Sequence, residues 1–98
     1  MHTWPTGAGS TFYPMLAIDI GNTHTVLGLF REGRLARKWR LQTRPNATSD
    51  EIEMRVRGLL DLGRFTPEEV TCAVLATVVP ALDRSWRKGL ERVVESGK

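Results

Sequence analysis

The sequence contains a single cysteine, Cys72, among 98 residues. A lone thiol cannot close an internal disulfide, which excludes the disulfide-stapled scaffolds of small secreted proteins. No Cys/His set has the spacing of a zinc site. Long apolar runs are lacking as well. The longest, from Cys72 to Pro80, is broken by Thr77 and falls far short of the roughly 20 residues that a membrane-spanning helix needs. Residues 1–14 lack any Lys, Arg, Asp or Glu. They also lack the positive start and apolar stretch of a secretory signal. With two prolines and two glycines, they read as a flexible extension, with Met15 as a candidate native start. No internal repeat or low-complexity tract is present.

What remains is the composition of an ordinary globule. Hydrophobic residues make up 41% and charged residues 26%. These values exclude a collagen-like chain and argue against a largely disordered one. The length allows one domain with a modest core. Lys and Arg number 14 against 11 Asp and Glu, a net charge of +3 with a pI near 9.6. That balance is compatible with binding phosphate or nucleic acid. The basic residues are spread from Arg31 to Lys98, however, as on a solvated surface.

From residue 15 onward the pattern is ordered. Met15 to Ile20 is an almost continuous apolar run, as in a buried strand. Gly21-Asn22-Thr23 punctuates it as a turn, and Thr25 to Phe30 reads as a second strand. Glu32-Gly33 is a short hairpin turn into a third strand, Arg34 to Thr43. In that strand Leu35, Arg37, Trp39 and Leu41 alternate with Ala36, Lys38, Arg40 and Gln42. Thr48 and Glu51 fit a capping box that opens a helix, with Ile52, Val56, Leu59 and Leu60 on one face and Gly63 as its stop. Thr66-Pro67-Glu68-Glu69 is a brief helical turn. Cys72 to Val79 reads as a strand buried on both faces and hence parallel, with Cys72 a small core residue. Pro80 opens a last helix lined by Leu82, Trp86, Gly89, Leu90, Val93 and Gly97. Gly89 costs about 1 kcal/mol against Ala in a helix interior, which points to close packing there. Trp39 and Trp86 are core or interface residues.

The order is therefore β-β-β-α-β-α, a mixed α/β arrangement. It matches the start of a ribonuclease H-like fold, shared by one domain of the actin-like ATPases. With the chain stopping at Lys98 the sheet is expected to be incomplete. Strand four would then be an open edge that awaits further chain or a partner.

One motif carries chemistry. Ala17-Ile-Asp19-Ile-Gly21-Asn22-Thr23-His24-Thr25 places an acid in a buried strand, then a glycine turn, then amide and hydroxyl side chains. Backbone N–H groups in a tight turn can face an anion, and glycine permits close approach. Asn and Thr add neutral donors. An Asp at a strand end can hold Mg²⁺ through water. The same residues also fit a plain β-turn in which Asp19 merely caps the chain.

Residues 15–98 resemble the N-terminal part of the type III pantothenate kinases. The matching segments are LAIDIGNTHTVLGLF (16–30), WRLQT (39–43), TSDE (48–51), RGLLDLG (57–63) and TVVPAL (77–82). The resemblance implies transfer of the γ-phosphate of ATP to the primary hydroxyl of pantothenate, the first step of coenzyme A synthesis. It further implies Mg²⁺, a monovalent cation (K⁺ or NH₄⁺), a cytoplasmic homodimer, and no nucleic-acid or membrane partner. By position, Asp19 corresponds to the acid that organises Mg²⁺ and phosphate, and Gly21, Asn22, Thr23 and Thr25 to the phosphate loop. Residues 1–14 would be an extension, and 15–98 the N-terminal part of an actin-like kinase domain. The family's second Gly-x-Asp motif, with its catalytic base, is not found before Lys98. Asp61 and Asp83 fall on helices, so no catalytic residue is expected within this chain. Accessory transcription factors share the same pattern, which makes a noncatalytic regulatory or interaction module the alternative.

Other candidates have simpler readings. His24 lies in the turn, where it could touch phosphate or be solvated. Thr77 ends strand four near the site end of the sheet, as a ligand contact or a structural residue. Arg34, Arg37, Lys38 and Arg40 could bind nucleic acid, but an alternating strand divides them between two faces. A nuclease would need several converging carboxylates. Asp19 with Glu51 or Glu53 supplies a start, but strand four ends without an acid.

Overall fold

The computed structural model describes residues 14–95. The elements are β1 (Met15–Ile20), β2 (His24–Arg31), β3 (Arg34–Gln42), α1 (Ser49–Leu62), a 3-10 turn (Pro67–Glu69), β4 (Cys72–Thr77) and α2 (Pro80–Glu95). The expectations for residues 1–13 and for Gly97 lie outside the described residues. Pro14 is tied to the start of β4: its carbonyl accepts the Thr71 N–H at 3.1 Å and the Thr71 hydroxyl at 3.3 Å.

The four strands form one sheet in the order β3-β2-β1-β4. β1 pairs antiparallel with β2 and parallel with β4, and β2 pairs antiparallel with β3. This is the mixed sheet expected of a ribonuclease H-like start, with the parallel pairing reached through α1. The β2–β3 turn has φ of 51° at Glu32 and 78° at Gly33. Positive φ at both central residues is the primed geometry that matches the twist of a hairpin.

Period-two alternation sorts the strand residues between two faces. Leu16, Ile18, Ile20, Leu27, Leu29 and Trp39 join one buried cluster with Ile52, Val56, Leu60, Leu82, Trp86, Leu90 and Val93 of the helices. Both helices therefore cover the same face. Each large aliphatic side chain so buried contributes about 1.5–3 kcal/mol relative to exposure, so this apolar face dictates where the helices dock. Met15, Ala17 and Phe30 form a small separate cluster on the other face. The expected helical stripes of Ile52, Val56 and Leu60 in α1 and of Leu82 to Val93 in α2 are buried as the spacing predicts.

Three expectations are corrected. β4 is not buried on both faces. Ala73, Leu75 and Thr77 are half-buried toward the helices, whereas Cys72, Val74, Ala76 and Val78 are exposed. The reason is the one-sided helix layer, combined with β4's place at the end of the sheet. Cys72 follows the same rule and is exposed rather than a core residue. In β3, a bulge shifts the register between Leu29 and Phe30, so Leu35 pairs with Phe30 instead of continuing the row of Arg37, Trp39 and Leu41. Leu35 is accordingly 44% exposed.

Local signals set the helix ends. The Thr48 hydroxyl accepts the Glu51 N–H at 3.2 Å, and the Glu51 carboxylate accepts the Thr48 N–H at 3.2 Å. This is the predicted capping box. The Thr48 backbone N–H, with help from its hydroxyl, holds the Glu51 carboxyl below its ordinary range. At the other end, Phe65 N–H donates to Leu60 at 2.8 Å and Arg64 N–H to Asp61 at 3.0 Å. This is the Schellman pattern, and its left-handed residue is Arg64 (φ 63°) rather than the glycine before it. Gly63 serves packing instead, because a Cβ there would stand 3.0 Å from Trp39. The helices cross at Gly89, where a Cβ would meet Ile52 Cγ2 at 2.8 Å and the Ser49 carbonyl at 3.0 Å. Arg92 pairs with Asp50, and Arg57 with Glu53 at 2.9 Å, across and along this crossing.

Candidate phosphate-binding site

The β1–β2 turn places the candidate residues at one end of the sheet. Asp19 is half-buried in β1, opposite Val26 of β2 and Ala76 of β4. Alternation sets it on the face away from the helices. Arg40 joins the same cross-strand row through its pairing with Val26, and Lys38 lies one row further on. Thr77 sits at the same end, paired with Ile20.

Gly21 closes the turn, its N–H donating to the His24 carbonyl at 2.9 Å. A Cβ on Gly21 would stand 3.0 Å from that same carbonyl, so the tight turn requires glycine on steric grounds. Asn22 and Thr23 are exposed at the tip. They follow the half-buried Asp19 by three and four positions in the chain, and exposed residues of a tight turn are of the kind that can offer donors to an anion.

His24 is also exposed, and its Nδ1 lies 3.2 Å from a guanidinium nitrogen of Arg40. Arginine only donates, so Nδ1 is the acceptor of this bond. The basic strand residues divide as the alternation predicts. Lys38 and Arg40 share the face of Asp19, while Arg37 lies on the other face with its guanidinium 5.3 Å from the Trp39 ring centroid.

Thr25 differs from the other loop candidates. It is 1% exposed, faces the helix side of the sheet with Ile20 and Leu41, and its hydroxyl lies 2.9 Å from that of Thr43. The Thr43 hydroxyl donates to the Gly21 carbonyl at 2.7 Å. A hydroxyl carries one proton. With that of Thr43 directed at Gly21, the Thr25 proton must be the one shared with Thr43. Thr25 thus spends its donor inside the protein, and its part in any phosphate site is indirect. Thr77 is engaged similarly. Its hydroxyl accepts the Val79 N–H at 2.9 Å and donates to the Val79 carbonyl at 3.1 Å, a local turn into α2.

Thr43 was not singled out from the sequence, although it closes the WRLQT segment. Besides its hydroxyl bonds, its N–H donates to the Thr23 carbonyl at 2.8 Å. Strand β3 therefore grips the turn from its end.

The nuclease alternative loses its geometry. Glu51 and Glu53 ride on α1, on the opposite side of the sheet from Asp19. Glu51 closes the Thr48 cap, and Glu53 pairs with Arg57 and Arg92. Among the described residues, no three His, Cys, Asp or Glu side chains are grouped to hold a metal. A single carboxylate still fits Mg²⁺, which keeps several waters and is commonly held by one or two carboxylates together with substrate phosphates.

A shallow cleft also opens on the helix side between the end of β3 and the start of α1. Leu41, Ile52 and Trp86 line it together with Arg44, Glu51 and Arg55. Asp19 does not reach it. Among the described residues, no helix is long and apolar enough to cross a membrane.

Comparison with known proteins gives the family. The family model described as type III pantothenate kinase matches residues 15–96. A protein named type III pantothenate kinase from Desulfotalea psychrophila is 45% identical over 78 residues, covering 80% of this chain and 29% of that protein. One of the same name from Myxococcus xanthus is also 45% identical over 78 residues, covering 80% of this chain and 30% of that protein. A third, from Bifidobacterium adolescentis, is 33% identical over 81 residues, covering 83% of this chain and 32% of that protein. The chain thus spans about three-tenths of the length of the curated relatives it matches. The aligned stretch holds β1, the glycine turn, the Thr43 grip and both helices, and on this match the chain belongs to the type III pantothenate kinase family.

Proposed function

We propose that this chain supplies the phosphate-binding part of an ATP-dependent pantothenate kinase. The observation that carries the reading is the turn at Gly21, Asn22 and Thr23, exposed at Asn22 and Thr23, pinned by hydrogen bonds at Gly21 and Thr23 and following the half-buried Asp19. Phosphoryl transfer relies mainly on positioning and on neutralising charge, and a turn of backbone and side-chain donors beside a metal-binding acid provides both. Asn22 and Thr23 would donate to the terminal phosphates of ATP. Asp19 would hold Mg²⁺ through its water shell, and the cation would neutralise charge on the transferring phosphate. Lys38 and Arg40 add positive charge on the same face. The catalytic base and the pantothenate pocket would come from outside residues 15–98. A K⁺ or NH₄⁺ requirement, a homodimeric assembly and a cytoplasmic location belong to this proposal through the family.

The test is release of ADP from Mg·ATP in the presence of pantothenate. It is measured on the Desulfotalea psychrophila relative with its matching segment replaced by residues 15–95 of this chain. Pantothenate-dependent ADP release, abolished by Asp19→Asn, is the expected result. A folded hybrid that binds nucleotide but releases no ADP would point to a noncatalytic module instead.

A further inference from the structure

We propose that Thr43 is a positioning residue of the phosphate site. On this view it aims the Asn22 N–H at the bound phosphate by holding the carbonyl of the preceding peptide. The inference rests on the phosphate-loop reading above and goes beyond it, because Thr43 lies on another strand.

The geometry runs as a relay of hydroxyls. Thr25 donates to Thr43, and Thr43 donates to the Gly21 carbonyl at 2.7 Å. Thr25 lies on the helix-facing side of the sheet and is 1% exposed, so the relay is anchored beneath the turn. The Gly21 carbonyl and the Asn22 N–H belong to one peptide unit. In a planar trans peptide the two point in opposite directions. Drawing the carbonyl toward Thr43 therefore turns the Asn22 N–H to the opposite side of the sheet, where alternation places Asp19, His24 and Arg40. The Thr43 N–H fixes a second point by donating to the Thr23 carbonyl at 2.8 Å. Two bonds from one residue thus flank the exposed tip at Asn22 and Thr23. Without the hydroxyl, the Gly21–Asn22 peptide is free to rotate, and the donor is no longer held for the anion. Such prior fixing of donors is the usual basis of electrostatic complementarity to phosphate.

The experiment compares Thr43→Val, Thr43→Ser and the parent 98-residue chain by two readouts. One is the chemical shift and hydrogen exchange of the Asn22 amide, with the amides of β1 as an internal control. The other is affinity for Mg·ATP. Thr43→Val is close to isosteric and keeps the backbone bond. It should move the Asn22 amide, speed its exchange and weaken Mg·ATP by about five- to tenfold, the worth of one ordinary hydrogen bond. Thr43→Ser keeps the hydroxyl and should restore both readouts. A merely structural role would slow or speed exchange throughout β1 and would not be rescued selectively at Asn22. The proposal is overturned if Thr43→Val leaves the Asn22 amide unchanged, or if Thr43→Ser behaves like Thr43→Val. Should the parent chain itself show no saturable Mg·ATP binding, the phosphate-loop reading fails, and Thr43 then has no positioning role for phosphate whatever the amide shows. Parent binding that survives Thr43→Val undiminished sinks only the Thr43 assignment.

Discussion

Two glycines in the two helices offer the same substitution with opposite outcomes. Gly58 in α1 is exposed, and a Cβ built there meets nothing within 4 Å. Gly58→Ala should therefore realise the full helix-propensity gain of about 1 kcal/mol. For a domain of this size that corresponds to a rise in Tm of roughly 4–8 °C. Gly89 in α2 has the same intrinsic preference, but its Cβ would stand 2.8 Å from Ile52 Cγ2 and 3.0 Å from the Ser49 carbonyl. The first contact can ease by moving a side chain. The second is backbone at the start of α1, so relief requires the helices to separate. Overpacking of this kind costs about 1–3 kcal/mol, which equals or exceeds the propensity gain. Gly89→Ala should thus leave Tm unchanged at best and lower it by several degrees at worst. Thermal unfolding followed by circular dichroism gives both values in one buffer. The telling quantity is the gap between the two variants, because propensity cancels from it and only the steric cost remains. Equal rises in Tm would refute the claim that Gly89 is required by the α1–α2 crossing.

Two further perturbations probe the helix ends. Arg64 occupies the left-handed position of the Schellman turn at φ 63°, a conformation that costs a non-glycine residue about 1–2 kcal/mol. Arg64→Gly relieves that strain but frees the unfolded chain, so a net gain of up to about 1 kcal/mol is expected in urea unfolding; a loss of stability would contradict the assignment. The Glu51 carboxyl titrates below its ordinary value of 4.5 because Thr48 donates to its charged form. A depressed folded value means that its stabilisation is present above 4.5 and is lost as pH falls through the lower, folded value. Glu51→Gln keeps the capping geometry without a titrating group, so its Tm should fall less steeply than the parent's as pH drops below 4.5. Parallel Tm curves for the two proteins would count against the cap's role in acid sensitivity.

The features legible in the sequence were those determined by neighbours along the chain. Thr48 and Glu51 meet within one helical turn, Glu32-Gly33 joins adjacent strands, and the stripes of α1 and α2 follow the helical period. Asp19 and the turn after it were legible because glycine, amide and hydroxyl stand consecutively. The misreadings share a different cause. The apolar run of β4 reads in the sequence as a doubly buried strand, but burial depends on which faces the helices cover, and both cover one. The exposure of Cys72 follows from the same placement. The bulge opposite Leu29 and Phe30 depends on pairing between strands, and it moved Leu35 out of the expected row. The burial of Thr25 and the grip of Thr43 depend on contacts across 18 and 22 positions of sequence. No local period reports those contacts. The WRLQT segment marked the place without disclosing the role.

The central claim is that the turn after β1 binds the phosphates of a nucleotide. Titration of the ¹⁵N-labelled chain with Mg·ATP, followed amide by amide, tests it most directly. The account predicts saturable shifts at Asp19, Gly21, Asn22, Thr23 and His24, weakened by Asp19→Asn and reproduced in kind by magnesium tripolyphosphate. Saturable shifts centred instead on the Arg44, Glu51 and Arg55 cleft, or none at the turn, would contradict it.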